Sequence, residues 1–157
     1  MLNRRHLRIK IFHALYAYFQ RSKESLDKGE KELFFSISKM REMYFYMMLI
    51  FVEIVHFARL KQEENKKKRL PSEADLNPNT KFVDNKLIRQ LEENEVLKGV
   101  VEKEKIGWAD QPELIKNIYL MLVETEEYKQ YMESSEDSYE EDRQVVISLF
   151  KKHVVNF

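Results

Sequence analysis

The sequence predicts an all-α fold, and three observations carry that expectation. Only three Gly and three Pro punctuate 157 residues, too few for the turns of a multi-stranded β protein. Apolar residues recur at the three- and four-residue spacing of a helix face along most of the chain. Hydrophobic residues make up 43% and charged residues 34%, a balance that supplies a core and long solvated helix faces and argues against disorder.

The first helix is expected from about Asn3 to Gln20, with Asn3 as its cap and residues 23–29 as the turn that follows. A long second helix is predicted from about Glu30 to Lys67, a span with no Gly or Pro. In it Leu33, Phe34, Ile37, Met40, Tyr44, Met47, Met48, Phe51, Ile54, Val55 and Ala58 recur at helical spacing. Its Met- and aromatic-rich run "MYFYMMLIF" is read as core. The segment "KQEENKKKRLPSEADLNPNTK" has charge, two Pro and no apolar period, which marks a solvated connection. Beyond it, "DNKLIRQLEENEVLKGVVEKEKIGW" predicts one or two short helices, broken near Asn94 or Gly99. Asp110 is expected to cap a helix with Pro112 in its first turn, and Leu114, Ile115, Ile118, Tyr119 and Leu122 form the apolar stripe of that helix. Ser138 followed by Glu141 reads as a capping box for a last helix that buries Val145, Val146, Leu149 and Phe150. The expected organisation is therefore a helical part over 1–68, a linker over 69–81 and a second helical segment over 82–157.

Composition removes several function classes. The absence of Cys excludes a disulfide framework, a thiolate metal site and a Cys nucleophile, and it fits a reducing compartment, so a cytoplasmic location is expected. The longest apolar run, Met43 to Val52, spans ten residues. A membrane-spanning helix needs ~20, so the run reads as a helix buried in protein and no membrane partner is expected. There is no Gly-rich phosphate loop, Ser-centred elbow or HExxH, and the carboxylates crowd into one run with no converging partners. No catalytic residue can be singled out, and the chain is read as not an enzyme. His6 and His13 stand two helical turns apart, too far to share a metal ion, so neither a metal site nor a cofactor is expected. His56 reads as a packing residue of the long helix, and Trp108 as a plug at a helix junction.

Charge is distributed unevenly. The chain balances 27 Lys and Arg against 27 Asp and Glu, yet residues 3–23 carry +6 with no acid. Residues 124–142 carry nine acids against one Lys, a net of −8. That acidic run is expected to lie in solvent with its counterions or to fold against the basic helix.

Helical projection of the first helix gathers Leu7, Ile11, Phe12, Ala14, Leu15, Tyr18 and Phe19 on one face, expected to be core. The opposite arc holds Arg5, His6, Ile9, Lys10, His13, Tyr16 and Gln20. Arg clamps phosphate bidentately and an exposed Tyr can stack an unpaired base, the combination used to bind single-stranded RNA. The other reading of the arc is a solvated face, or one paired with the acidic run. Arg4 and Arg8 project toward the edge of the apolar face, where each could reach a phosphate or make a structural ion pair.

The segment "RRHLRIKIFHALYAY" resembles the opening helix of the NusB family of bacterial transcription antitermination factors. That helix typically begins R-R-x-x-R, followed by Q-x-L-Y and an aromatic two places on. The matching positions are Arg4, Arg5 and Arg8, then His13, Leu15, Tyr16 and Tyr18, in register without a gap. The resemblance implies an all-helical bundle that pairs with NusE, a small-subunit ribosomal protein, within the transcription elongation complex and binds boxA-like single-stranded RNA. It implies that Arg4, Arg5, Arg8, the residue at 13 and Tyr16 face that RNA. The chain departs from the family in carrying His13 where Gln is usual, and in lacking the N-E-x-x-x-x-A-K-x-Y-like and F-V-N-G-like segments of the family's C-terminal half. The stretch "FVDNKLIRQLEENEVLKGVVEKEKIGWADQPELIKNIY" looks like the insertion of long relatives, so the chain is expected to correspond to the N-terminal part of one.

The function expected from residues and resemblance together is a non-catalytic RNA-binding adaptor using Arg4, Arg5, Arg8, Lys10, His13 and Tyr16. The alternative is a helical protein–protein scaffold that binds no RNA. Apolar surface left uncovered on the long helix would promote self-association of the chain.

Overall fold

A computed structural model describes residues 3–21, 25–155 and 157, and every regular element among them is helical. In order these are α1 (Arg4–Gln20), α2 (Leu26–Lys66), α3 (Glu73–Leu76), α4 (Lys86–Glu92), α5 (Glu95–Glu104), α6 (Pro112–Glu124), α7 (Glu126–Glu133) and α8 (Tyr139–Leu149). A π-helical turn, Phe150–Val154, continues α8. The protein is all-α.

The chain divides into two compact units, residues 1–47 and 48–157, with the division inside α2. It does not fall at 69–81, because the second half of α2 packs with residues beyond 82 and the segment between them joins parts of one unit. That segment is also partly ordered. Ser72 and Asp75 make a reciprocal capping box at the start of α3.

In the first unit, α1 and the first half of α2 are joined by a connection shorter than expected. α2 begins at Leu26, so Leu26, Asp27, Lys28 and Gly29 belong to it; residues 23 and 24 of the expected turn lie outside the described residues. Asn3 caps α1 by accepting the His6 backbone N–H at 2.9 Å. Among the described residues of this unit none is buried.

The second unit has a closed core. Ile50, Phe51, Ile54, Val55 and Ala58 of α2 meet Phe82, Ile88 of α4, Ile115, Ile118 and Leu122 of α6, Tyr131 of α7, and Val145, Val146 and Leu149 of α8. The apolar stripes expected on α6 and α8 are the faces that pack, except that Leu114, Tyr119 and Phe150 are only half-buried. Trp108 also packs half-buried against this core. His56, expected to pack, is exposed, because the buried face of α2 runs through Ile54, Val55 and Ala58. Of the run "MYFYMMLIF", Leu49, Ile50 and Phe51 are buried while Met43 and Tyr44 are exposed.

Among the described residues of this unit two polar side chains, Asn85 and Asp142, are buried, and they bond each other's neighbourhoods. Asn85 caps α4 by accepting the Leu87 and Ile88 N–H groups, and its amide donates to the Asp142 carbonyl and the Tyr131 hydroxyl. Asp142 accepts the Tyr131 hydroxyl at 2.5 Å and the Lys86 backbone N–H at 2.8 Å. Burial, and next the bond to Asp142, raise the Tyr131 pKa. Among the described residues no buried side-chain N or O lacks a partner.

Local cap geometry differs from expectation at two helices. The N-cap of α6 is Gln111, without a side-chain bond, and not Asp110; Pro112 takes the first helical position, where its missing N–H costs nothing. Ser138 caps α8 by accepting the Glu141 N–H, but the Glu141 carboxylate reaches Lys81 at 2.9 Å instead of returning to the cap.

By length and composition alone α2 is apolar enough to cross a membrane, a test that the core helix of a soluble protein also passes. One third of its most apolar stretch is buried inside the protein.

Candidate nucleic-acid interface

The face α1 turns toward α2 is not its most apolar one. The half-buried positions of α1 are Leu7, Lys10, Ala14, Ala17 and Tyr18, and those of the first half of α2 include Gly29, Leu33, Ser36, Ile37 and Met40. Lys10, Ala14 and Tyr18 line one groove with Gly29, Leu33 and Ser36, and a Cβ added at Gly29 would sit 3.5 Å from the Tyr18 ring.

The face expected to be core is therefore rotated out. Phe12 is 66% exposed and Phe19 78%, with Ile11 and Leu15 also exposed. Opposite the packed stripe, at 100° per residue, lie Arg5, Arg8, Ile9, Phe12, Leu15, Tyr16 and Phe19, all of them exposed. Helical projection assigned the packed side by hydrophobicity, whereas the half-buried side includes Lys10 and two alanines.

The candidate site residues separate accordingly. Arg4, Arg5 and Arg8 are exposed and make no ion pair among the described residues, and Tyr16 is 61% exposed on the same outer side as Arg5 and Arg8. Lys10 is half-buried on the opposite, α2-facing side. It lines an open groove of about 200 Å³ together with His13, Tyr18, Glu32, Leu33 and Ser36. His13 itself is exposed at the rim. The six residues do not form one arc: Arg5, Arg8 and Tyr16 share a side, Arg4 flanks them, and Lys10 and His13 lie by the groove.

An acid that the sequence of α1 does not reveal comes from α2. Glu32 lines the same groove and is bonded by Arg21 at 3.0 Å, so one of the six positive charges of residues 3–23 is already partnered within the unit. The first turn of α1 carries no acid of its own. Arg4, Arg5 and Arg8 thus stand at the positive end of the helix macrodipole, an arrangement that stabilises a bound anion and not the isolated helix.

The acidic stretch 124–142 is not one solvated run. Glu127 pairs with Lys152 at 2.7 Å, Asp137 with Lys86 at 2.7 Å, Glu141 with Lys81 at 2.9 Å and Glu140 with Arg143 at 2.9 Å, while Asp142 is buried. The hydrogen bond from Lys152, then its own backbone N–H, hold Glu127 down at about 2. Sequence pattern missed the pairs of Glu127, Asp137 and Glu141 because their lysines come from distant positions of the chain.

Among the described residues no group of three or more His, Asp or Glu side chains converges as a metal site. Comparison with known proteins finds no matching family model, no matching curated protein and no matching solved structure.

Proposed function

We propose that this chain is a NusB-like, non-catalytic RNA-binding adaptor of bacterial transcription antitermination, acting in the cytoplasm and paired with NusE. α1 contacts boxA-like single-stranded RNA. The observation that carries the reading is the exposure of Arg5, Arg8 and Tyr16 on one side of α1, with Arg4 beside them and no acid in that helix. Arg side chains without an ion-pair partner among the described residues are available to phosphates, and a largely exposed phenol ring offers a stacking face. The register of Arg4, Arg5, Arg8, Leu15, Tyr16 and Tyr18 with the family's opening helix supports it. Lys10 and His13 have a lesser part, because they stand at the groove next to Glu32.

The test is binding of a boxA-like single-stranded RNA measured against salt. Contact with three to five phosphates gives a slope of log K against log[salt] of about −2 to −3.5, at ~0.7 per phosphate. Arg5→Ala and Arg8→Ala flatten that slope, and Lys10→Ala flattens it less. Tyr16→Ala weakens binding by ~1–3 kcal/mol. An affinity independent of salt, or indifferent to Arg5 and Tyr16, removes RNA from α1.

The second reading, a protein–protein scaffold without RNA, is favoured by the exposed Phe12 and Phe19, which RNA phosphates do not need. It predicts loss of partner binding on Phe19→Ala with no effect of salt.

A further inference from the structure

The outer stripe of α1 has an internal symmetry that RNA binding leaves unexplained. Its residues are Arg5, Arg8, Ile9, Phe12, Leu15, Tyr16 and Phe19, and Phe12 is the midpoint. Read outward from Phe12 in both directions, Ile9 corresponds to Leu15, Arg8 to Tyr16 and Arg5 to Phe19. Laid antiparallel on itself, the stripe sets aliphatic against aliphatic, Phe12 against Phe12, and each Arg against an aromatic ring. We propose that this stripe is an isologous docking surface for a second copy of this chain, with the two α1 helices antiparallel about Phe12.

Area and charge both favour that occupant. The apolar members of the stripe are 42–78% exposed. At ~150–250 Å² per aromatic side chain, that leaves on the order of 500 Å² of mainly apolar surface per copy. Patches of a few hundred Å² or more mark interaction sites, and ~800 Å² per partner is the size of a standard interface, which the arginine stems help to approach. Arg over an aromatic face is the most frequent cation–π pair. An antiparallel partner also brings the negative end of its helix dipole to Arg5 and Arg8, which stand at the positive end of their own helix. It holds the two Arg5 positions ~21 Å apart at 1.5 Å per residue, well beyond a screening length of ~8 Å. A parallel pair would crowd six arginines together. Two-fold symmetry makes every contact occur twice.

The chain has no Cys, so single-Cys variants report the geometry directly. Sedimentation of the full chain without RNA shows a concentration-dependent dimer, and Phe12→Glu converts it to monomer with unchanged far-UV circular dichroism, because Phe12 is 66% exposed in the single chain. Under mild oxidation Phe12→Cys forms an interchain disulfide. Phe19→Cys alone does not, since its two copies lie ~21 Å apart and a disulfide needs Cα atoms within ~7 Å. An equimolar mixture of Arg5→Cys and Phe19→Cys does cross-link. A chain that stays monomeric at ~100 µM, weaker than any specific micromolar dimer, overturns the proposal. So does a dimer indifferent to Phe12→Glu, or one in which Phe19→Cys links to itself as readily as Phe12→Cys. Monomeric binding to vesicles of anionic phospholipid, lost in Phe12→Glu, assigns the stripe to lipid and overturns it too. Arg5, Arg8 and Tyr16 also belong to the proposed RNA surface, so the two occupants exclude each other. The assays contain no RNA, and their result stands whether or not RNA binds.

Discussion

The two units use the same helical building material to opposite ends. Residues 48–157 enclose a core of aromatic and aliphatic side chains, although Leu60, Leu70 and Val96 stay exposed, and among the described residues the buried side-chain polar atoms are bonded. In residues 1–47, among those described, no side chain is buried, and Phe12, Phe19, Phe34 and Phe35 are each more than 60% exposed. Apolar surface near 25 cal/mol per Å² is stabilising only where it leaves water. Stability is thus concentrated in the second unit, and surface available to a partner in the first.

The largest effect that can break this comparison is a cavity. Ile54 and Leu122 are fully buried, and Ile54→Ala or Leu122→Ala should cost about 2–5 kcal/mol in denaturant unfolding. Phe12→Ala removes a larger side chain but should cost less than about 0.5 kcal/mol, since the ring is already in water. Comparable losses for the two would mean that α1 is covered in solution.

The next effect is a hydroxyl present in one unit and matched in the other. Tyr131→Phe withdraws the donor that Asp142 accepts at 2.5 Å inside the second unit, and a buried acceptor left short costs about 1–3 kcal/mol. Tyr16→Phe makes the same chemical change on an exposed ring and should leave stability where it was.

Acid sharpens the contrast further. Glu127 is held at about 2 against its usual 4.5, and Glu92, Asp137, Glu140 and Glu141 are also lowered, chiefly by partner side chains at the first three and by Ser134 and Lys81 against burial at Glu141. A depressed carboxylate contributes stability that is complete above its unfolded value and is lost as pH falls toward the folded one. Stability of the second unit should therefore decline from about pH 4.5 toward 2, followed by hydrogen exchange. Lys152→Gln, which removes the largest cause at Glu127, should lower stability at neutral pH and make that decline shallower.

How much of this was legible in sequence follows from what each helix packs against. α6 and α8 read correctly because a wide apolar stripe on a helix in a closed core is also its buried face. The Asn94 cap and Pro112 at a first helical position are local chemistry and could be read without neighbours. α1 could not, because its half-buried side includes Lys10, Ala14 and Ala17, residues that carry little hydrophobic signal, while Phe12 and Phe19 stay exposed. The partners of the acidic run were equally hidden. Lys81 and Lys86 lie more than forty residues before Glu141 and Asp137, and only the fold joins them.

The smallest expected effect is also the best matched, because each unit has one glycine within a helix. Gly99 in α5 and Gly29 in α2 both have ordinary helical backbone, and neither has positive φ. A methyl group added at Gly99 meets nothing within 4 Å, and one added at Gly29 meets only the Tyr18 ring at 3.5 Å, an ordinary contact. Replacement by Ala in a helix gains about 0.5–1 kcal/mol, mostly by restricting the unfolded chain. Gly99→Ala should deliver that gain to the midpoint of global unfolding, because α5 adjoins a unit whose core sets that midpoint. Gly29→Ala should leave the midpoint unchanged and slow hydrogen exchange only near the start of α2, where local opening needs far less free energy than unfolding of the core. If Gly29→Ala instead raises the global midpoint as much as Gly99→Ala, the first unit unfolds together with the second. The division of labour between a stabilising unit and an uncovered one would then have to be abandoned.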